Sequence, residues 1–315
     1  MVDKSSRILL AVDTSNFAYT CLYSAVNKWE SEHSDEASVV LKETWETDQE
    51  NPPELLNYDT FRRSLSLVVQ DKLSYLNTIV QTKHPDEVST ASGIDVILAL
   101  DDTLDNSFRK KLYPEYKSQR KMSKVRFKIS TVKNYILDVI LKELNVETTL
   151  GYKIVKVVGC ECDDIIATLM INHPEYMCRI IISSDRDFLQ LDNVSQYNMW
   201  GEKIERTIKD VSETPLTRSD FLLWKIVRGD TSDNIKNVFP RVGDKKSYVL
   251  VQDRDMLKQK LSESNDAVER FKLNKQLIDF RNIPEDIRDK ALAVIDEKLK
   301  ESVDSDFNVD NCMII

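Results

Sequence analysis

Glycine is scarce in this 315-residue chain, six in all, and none falls in a GxxxxGK pattern. The phosphate-cradling loop of ATP-driven enzymes is therefore excluded. Histidine is scarcer. His33, His84 and His173 are scattered, which argues against a zinc site built from regularly spaced ligands. The five cysteines are odd in number, and Cys160 and Cys162 flank Glu161, so reduced thiols packed as small side chains are expected rather than a disulfide framework. No apolar run approaches the roughly 20 residues a membrane helix needs. Ile8 to Val12, closed by Asp13, is too short for a signal-peptide core. The expected location is the cytoplasm, with no membrane partner. No Ser-His-Asp arrangement, internal repeat or low-complexity tract is discernible.

What remains is an ordinary globular composition, 31% charged and 41% hydrophobic, long enough for two domains or one large domain with an appendage. A net charge of −9 ordinarily argues against a nucleic-acid partner. Here the charges are segregated. Residues 107–128, SFRKKLYPEYKSQRKMSKVRFK, carry nine Lys or Arg and one acid, Glu115, interleaved with Phe108, Tyr113, Tyr116 and Phe127. Such a run is more often a solvated helix face, but cations among aromatic rings also suit a sugar-phosphate backbone and its bases.

The acids gather elsewhere. Lys153 to Phe188 reads as an apolar strand, a helix opening on acids, and a second apolar strand ending on acids, so Glu161, Asp163, Asp164, Asp185 and Asp187 fall where strands stop and a helix starts. RILLAVD ends in Asp13, and VILALD ends in Asp101, followed by Asp102. Alternation of strands with helices implies a parallel, doubly wound α/β sheet with helices on both faces, whose ligands bind beyond the carboxyl ends of the strands. Acids near helix N-termini often just answer the helix dipole. So many in one crevice would raise one another's pKa, and an all-oxygen set relieves that by binding hard cations such as Mg2+ or Mn2+.

Elsewhere, the acidic segment from Glu30 to Glu54, closed by Pro52 and Pro53, reads as a surface excursion. Tyr58 to Gln81 shows a helical apolar pattern, Thr217 to Arg228 an amphipathic helix, and residues 255–300 charged helices broken at Pro284. In GDTSDNI, Asp230 and Asp233 lie three apart; the plain structural reading is a helix end at Gly229 and an N-cap aspartate after it. These features divide the chain into an α/β domain over residues 1–210, which includes a basic arch at 107–128, and a helical region over 211–315 with a flexible tail from 301.

The ordered set of Asp13, Asp101, the ExDD of Glu161 to Asp164, the SSDRD of Ser183 to Asp187, and the GDTSDN of Gly229 to Asn234 resembles the 5′ nuclease superfamily. This superfamily includes flap endonucleases, the 5′-exonuclease domain of DNA polymerase I and the ribonuclease H of T-even phages. PEYKSQR is similar to the arch motif of the phage enzymes, and QLIDFRNIPEDI to the C-terminal part of the T-even ribonuclease H. The resemblance spans nearly the whole chain. It implies a PIN-like fold and a monomer. Two Mg2+ ions, replaceable by Mn2+, would be held by Asp13, Asp101, Glu161, Asp163 and Asp164 at one position and by Asp185, Asp187, Asp230 and Asp233 at the other.

Lys117 and Arg109 resemble the arch cations that contact the scissile phosphate, with Lys110, Tyr116, Arg120 and Lys121 as further nucleic-acid contacts. The glycine-rich hairpin that usually follows GDxxDN is reduced here to KNVFPRVGDKKS with one glycine, Gly243, which leaves Lys245 and Lys246 to supply part of the duplex contact. The implied activity is removal of RNA primers and 5′ flaps from RNA–DNA hybrids, flaps and forks during phage replication. A single-strand-binding protein and a sliding clamp are the implied partners. Among rivals, a haloacid dehalogenase would need an aspartate where Ser15 stands. A catalytically weak nucleic-acid-binding protein that kept the fold is the alternative.

Overall fold

The computed structural model describes residues 3–46, 54–119, 129–212 and 214–300. Its centre is a parallel sheet of β1 (Arg7–Asp13), β2 (Gly93–Leu100), β3 (Tyr152–Lys156), β4 (Cys178–Ile182) and β5 (Ser195–Tyr197), in the order β3-β2-β1-β4-β5. The near-continuous apolar run of β1 reflects that central place, because both of its faces are covered. Ile8, Leu10 and Val12 join one core and Leu9 and Ala11 the other. The chain moves outward from β1 through β2 to β3, then recrosses to β4 and β5, so the topological switch point lies between β1 and β4.

Between β1 and β2 run α1 (Thr14–Glu32), α2 (Ser34–Glu46), α3 (Asp59–Lys83) and α4 (Pro85–Thr90). The acidic segment read as a surface excursion is thus helical in its described part. Ala37, Val40 and Leu41 are buried at helical spacing, an apolar stripe that the surrounding acids mask in composition. Residues 47–53, with Pro52 and Pro53, lie outside the described residues. α5 (Phe108–Leu112) follows β2. After it, α6 (Ile129–Tyr135) runs through a π turn into α7 (Leu141–Glu143), and α8 (Val146–Thr149) leads to β3. α9 (Cys162–Asn172) joins β3 to β4 on the opposite face of the sheet from α1 and α3.

Beyond β5 come α10 (Arg218–Arg228), α11 (Asp244–Gln252), α12 (Arg254–Ser262) and α13 (Asn265–Ile278), whose core includes Phe221, Trp224, Leu250 and Leu257. Pro284 stops the preceding turn, and α14 (Glu285–Lys300) returns to the sheet, placing Ile287, Ala291 and Ile295 in the core shared with α9. Residues beyond 210 therefore serve the core on the α9 face of the sheet as well as the helical core, while the tail from 301 lies outside the described residues. Gly229 ends α10 with φ 71°, and the backbone oxygens of Ile235 and Lys236 leave no room for a Cβ there. Asp230 then opens a turn closed by its antiparallel bridge to Ile235, where the sequence suggested a helix cap. No helix among the described residues is long and apolar enough to cross a membrane.

Candidate metal centre

The carboxyl ends of β1, β2 and β4 and the start of α9 converge at the switch point. Asp13 ends β1 and caps α1: its Oδ1 accepts the Asn16 N–H at 3.0 Å and its Oδ2 the Ser183 hydroxyl at 2.8 Å. Asp101 follows β2. It accepts the Cys162 N–H at 2.8 Å on one oxygen and Lys133 Nζ at 2.7 Å on the other, beside Ser15. Glu161 is the N-cap of α9, and Asp164 closes a capping box by accepting the Glu161 N–H at 3.0 Å. Asp185 caps the 3-10 turn Arg186–Gln190 through the Asp187 N–H at 2.8 Å.

Asp13, Glu161 and Asp185 thus have a local reason, as caps, to sit where they do, beside one crevice. The crevice is charged unevenly. Lys133 holds Asp101 down to about 2 although its enclosure works the other way. Glu161 is lowered against its burial by Lys117 and Arg109, with Ser107 Oγ donating at 2.6 Å. Lys225 of α10 spans Asp187 and, at 3.3 Å, Asp230, which it lowers against burial.

Asp13 and Asp163 differ. Among the described residues no Lys or Arg comes within ion-pair distance of either. Burial pushes Asp13 up, offset in part by its two hydrogen bonds, and Asp101 and Asp185 push it further. Asp163 is raised well above the carboxylate range by enclosure and by Asp185 and Asp13, with Lys117 opposing them in part from a distance. Asp13 and Asp163 thus resist ionisation with no cation of the described residues in ion-pair contact, in a carboxylate-rich surround that suits a hard divalent ion.

Several residues expected at this site have other work. Asp164 is fully buried: Arg109 Nη1 lies 2.7 Å from its Oδ1, and Oδ2 serves the capping box, so neither oxygen faces the crevice. Arg109 was expected at the scissile phosphate, yet it is 4% exposed, paired with Asp164 and donating to the Leu277 carbonyl at 2.8 Å. Tyr116 was expected against nucleic acid. It is 2% exposed, with its hydroxyl within 3.2 Å of Glu161 and 3.0 Å of Asp233. These two carry the arch residues onto the site rather than outward, because a charge or phenol sealed from water needs partners within the fold.

Lys110 donates to the Pro114 and Tyr116 carbonyls and folds the arch base upon itself. Lys117 stays at the crevice, its backbone N–H bound to the Asp233 carbonyl at 2.9 Å and its ammonium on Glu161. Asp233 is thereby joined to the Glu161 side of the crevice, and Asp187 and Asp230 form a subset around Lys225. Lys245 and Lys246 are exposed in the first turn of α11. Arg120 and Lys121 lie outside the described residues.

Sequence reasoning missed Lys133, Lys225 and Cys162. Lys225 had a readable signal, a lysine one helical turn before Gly229 and Asp230. Lys133 had none, since only the fold brings α6 to Asp101. The apolar-looking Cys162 places its Sγ 3.2 Å from the Ala99 carbonyl and 3.6 Å from Asp13.

Residues 67–215 match the family described as the 5′-3′ exonuclease, N-terminal resolvase-like domain. The chain is 28% identical over 159 residues to a 5′-3′ exonuclease of Buchnera aphidicola, covering 50% of this chain and 52% of that protein. It is 25% identical over 177 residues to the flap endonuclease Xni of Shewanella oneidensis, covering 55% and 60%. The chain spans about half the length of the curated relatives it matches. Among solved structures, it is similar to the flap endonuclease of bacteriophage T5 in complex with DNA and metal ions, at a TM-score of 0.54 and 18% identity over 93% of this chain and 99% of that one. The T5 5′-exonuclease with bound divalent zinc gives the same TM-score and identity, over 92% and 99%. At that identity the likeness is one of fold.

Proposed function

We propose that the chain is a member of the 5′ nuclease superfamily, a divalent-metal-dependent 5′-3′ exonuclease and flap endonuclease that also acts on RNA–DNA hybrids; the family match over residues 67–215 and the likeness of fold support this reading. The observation that carries this reading is the unmatched pair Asp13 and Asp163. Crowding a buried carboxylate and a half-buried one together without a cation in contact is costly, and a fold keeps such an arrangement where an ion completes it. Mg2+ suits the oxygen donors, with Mn2+ as a substitute. Asp13, Asp101, Asp163 and Glu161 would hold one ion, and Asp185, Asp187, Asp230 and Asp233 a second. Ions bound there supply an activated water and stabilise the leaving 3′ oxygen of the phosphodiester.

The chain's own residues do the rest. Tyr116, held protonated far above the pH of the reaction by its burial, has one proton to share between Asp233 at 3.0 Å and Glu161 at 3.2 Å and so ties the two carboxylates together. Lys117 sits within reach of a phosphoryl group at the crevice and offsets charge that develops there. The exposed Lys245 and Lys246, beside the first-turn amides of α11, are placed to grip a duplex phosphate. In replication such an enzyme would remove RNA primers and 5′ flaps.

A structure-specific binding protein is the second reading, and the contact that favours it is Lys225 lying across Asp187 and Asp230, where it competes with an ion. One assay separates them: 5′-labelled RNA–DNA hybrids and flap duplexes incubated with and without Mg2+, the products sized. Metal-dependent short products establish the nuclease. Tight, salt-sensitive binding without products in either Mg2+ or Mn2+ establishes the binding protein.

A further inference from the structure

The other rim of the sheet holds a second group of side chains with metal-ligand chemistry. His84 sits where α3 ends and α4 begins, Glu87 lies one turn into α4, and Cys178 opens β4. His84 and Cys178 are 94 residues apart in sequence, which is why spacing along the chain gives no hint of the group. His84 Nδ1, a Glu87 carboxylate oxygen and Cys178 Sγ all lie within 4.8 Å of one another.

The separation from the carboxylate fits ligation better than a hydrogen bond, and the separation from sulfur fits either. Nδ1 is 3.5 Å from Cys178 Sγ and 3.5 Å from Glu87 Oε1. Metal bonds of about 2.0 Å to nitrogen and oxygen and about 2.3 Å to sulfur, at tetrahedral angles, put ligand atoms roughly 3.3 to 3.6 Å apart. A charged nitrogen–oxygen hydrogen bond is about 2.8 Å. The imidazole, in a residue 8% exposed, thus faces two ligand atoms, in hydrogen-bond contact with the sulfur and without a short bond to the carboxylate.

Its other nitrogen is engaged. Tyr197 of β5 places its hydroxyl 3.1 Å from Nε2. An Nε2–H donated to that oxygen leaves the Nδ1 lone pair aimed at the thiol and the carboxylate, the tautomer a ligating histidine needs.

We propose that His84, Glu87 and Cys178 form a site for a divalent transition-metal ion of the zinc class, with water as the fourth ligand. One thiolate, one imidazole and one carboxylate select a borderline-soft ion, unlike the all-oxygen rim at the other ends of the strands. Binding replaces the Cys178 thiol proton by the metal and releases that proton to solvent. The Glu87 side chain, 40% exposed, leaves a route for the ion. Once bound, the ion ties the α3–α4 junction to β4 and, through Tyr197, to β5. The site is independent of the nuclease reading.

The test is a cobalt titration of the full, metal-stripped chain. About one equivalent of Co2+ should produce a near-ultraviolet thiolate-to-cobalt absorption that Zn2+ abolishes, because carboxylate ligands alone give no such band. Cys178→Ser should remove the band. Glu87→Gln, at a surface position that leaves the fold alone, should weaken Co2+ binding about tenfold or more, and Asp163→Asn should leave the band unchanged. The proposal is overturned if the wild-type chain shows no band. It is also overturned if the band survives in Cys178→Ser, which would move the thiolate to Cys162 beside Asp13, or if Glu87→Gln binds Co2+ as the wild type does.

Discussion

Asp95 and Asp13 lie on neighbouring strands of one sheet, near opposite ends, and are almost equally sealed, at 6% and 5% exposure. Asp95 accepts from Arg7 Nε at 2.8 Å, Lys153 Nζ at 2.8 Å and the Tyr176 hydroxyl at 2.9 Å. Against its burial, Arg7 and Lys153 hold it below the usual carboxylate range. Asp13 has a backbone amide, a hydroxyl and two other acids for company, and burial pushes it up. The fold therefore can match a buried carboxylate with cations where structure alone is at stake. Where it does not, the missing positive charge is the ground for proposing an ion there.

The largest effects should come from removing one charge at each end. Asp163→Asn should lower turnover on a 5′-flap substrate about 10³-fold, roughly 4 kcal/mol of barrier. The metal-free protein should keep or gain stability, because one of several mutually repelling carboxylates is gone. Asp95→Asn should do the reverse: a loss of about 3–5 kcal/mol in urea unfolding, since Arg7 and Lys153 are left facing a neutral group, with turnover of the folded enzyme intact. Single-turnover kinetics and unfolding curves on both variants decide the matter. Wild-type turnover in Asp163→Asn, or wild-type stability in Asp95→Asn, erases the distinction between the ends.

The contrast was only half legible in the sequence. Acids at the ends of apolar strands are visible because strand termini and helix starts are written locally, in RILLAVD, VILALD and CECDD, and alternation of strands with helices points to the parallel sheet. What a carboxylate is paired with is not local. Lys133 reaches Asp101, Arg109 reaches Asp164 and Lys153 reaches Asp95 through the tertiary fold. Hence Arg109 reads as an arch cation in PEYKSQR's neighbourhood, although burial makes it an internal counter-charge. The amphipathic stripe of α2 was hidden by its own acids. The GDTSDNI turn shows the converse, a motif read in the right place whose local conformation depends on the non-local oxygens crowding Gly229.

Ion binding should sharpen the comparison next. Asp13 and Asp163, raised in the fold above their usual value of 3.8, add stability at acid pH that is lost as pH rises through their folded values. Asp95, lowered, adds stability above 3.8 that is lost as pH falls through its folded value. At neutral pH the metal-free protein is thus strained at the acid rim alone. Mg2+ at about 100 times its dissociation constant should stabilise the protein by roughly 2.7 kcal/mol. The gain should shrink toward acid pH as the ligands take up protons. Calorimetric scans with and without Mg2+ at two pH values measure it, and a gain independent of pH would falsify the assignment to Asp13 and Asp163.

Lys117→Ala should have a smaller effect, lowering turnover about tenfold, or roughly 1.4 kcal/mol. The substrate dissociation constant should change less than turnover if the ammonium acts at the transferring phosphoryl rather than as a general anchor. An unchanged rate would reduce Lys117 to a counter-charge for Glu161.

The smallest effect tests whether the two kinds of end are mixed within one rim. Asp187 and Asp230 share Lys225 as Asp95 shares Lys153 and Arg7: half-buried carboxylates matched by a protein cation, although they sit among the unmatched acids. If Lys225 holds that position against an ion, Lys225→Met, which keeps length and apolar packing but removes the charge, should tighten binding of the weaker of two Mn2+ ions about fivefold, close to 1 kcal/mol. Titration followed by electron paramagnetic resonance counts both ions and needs no turnover. Unaltered Mn2+ affinity together with a loss of stability would class Lys225 with Lys153, as a structural partner, and shrink the unmatched charge to Asp13 and Asp163.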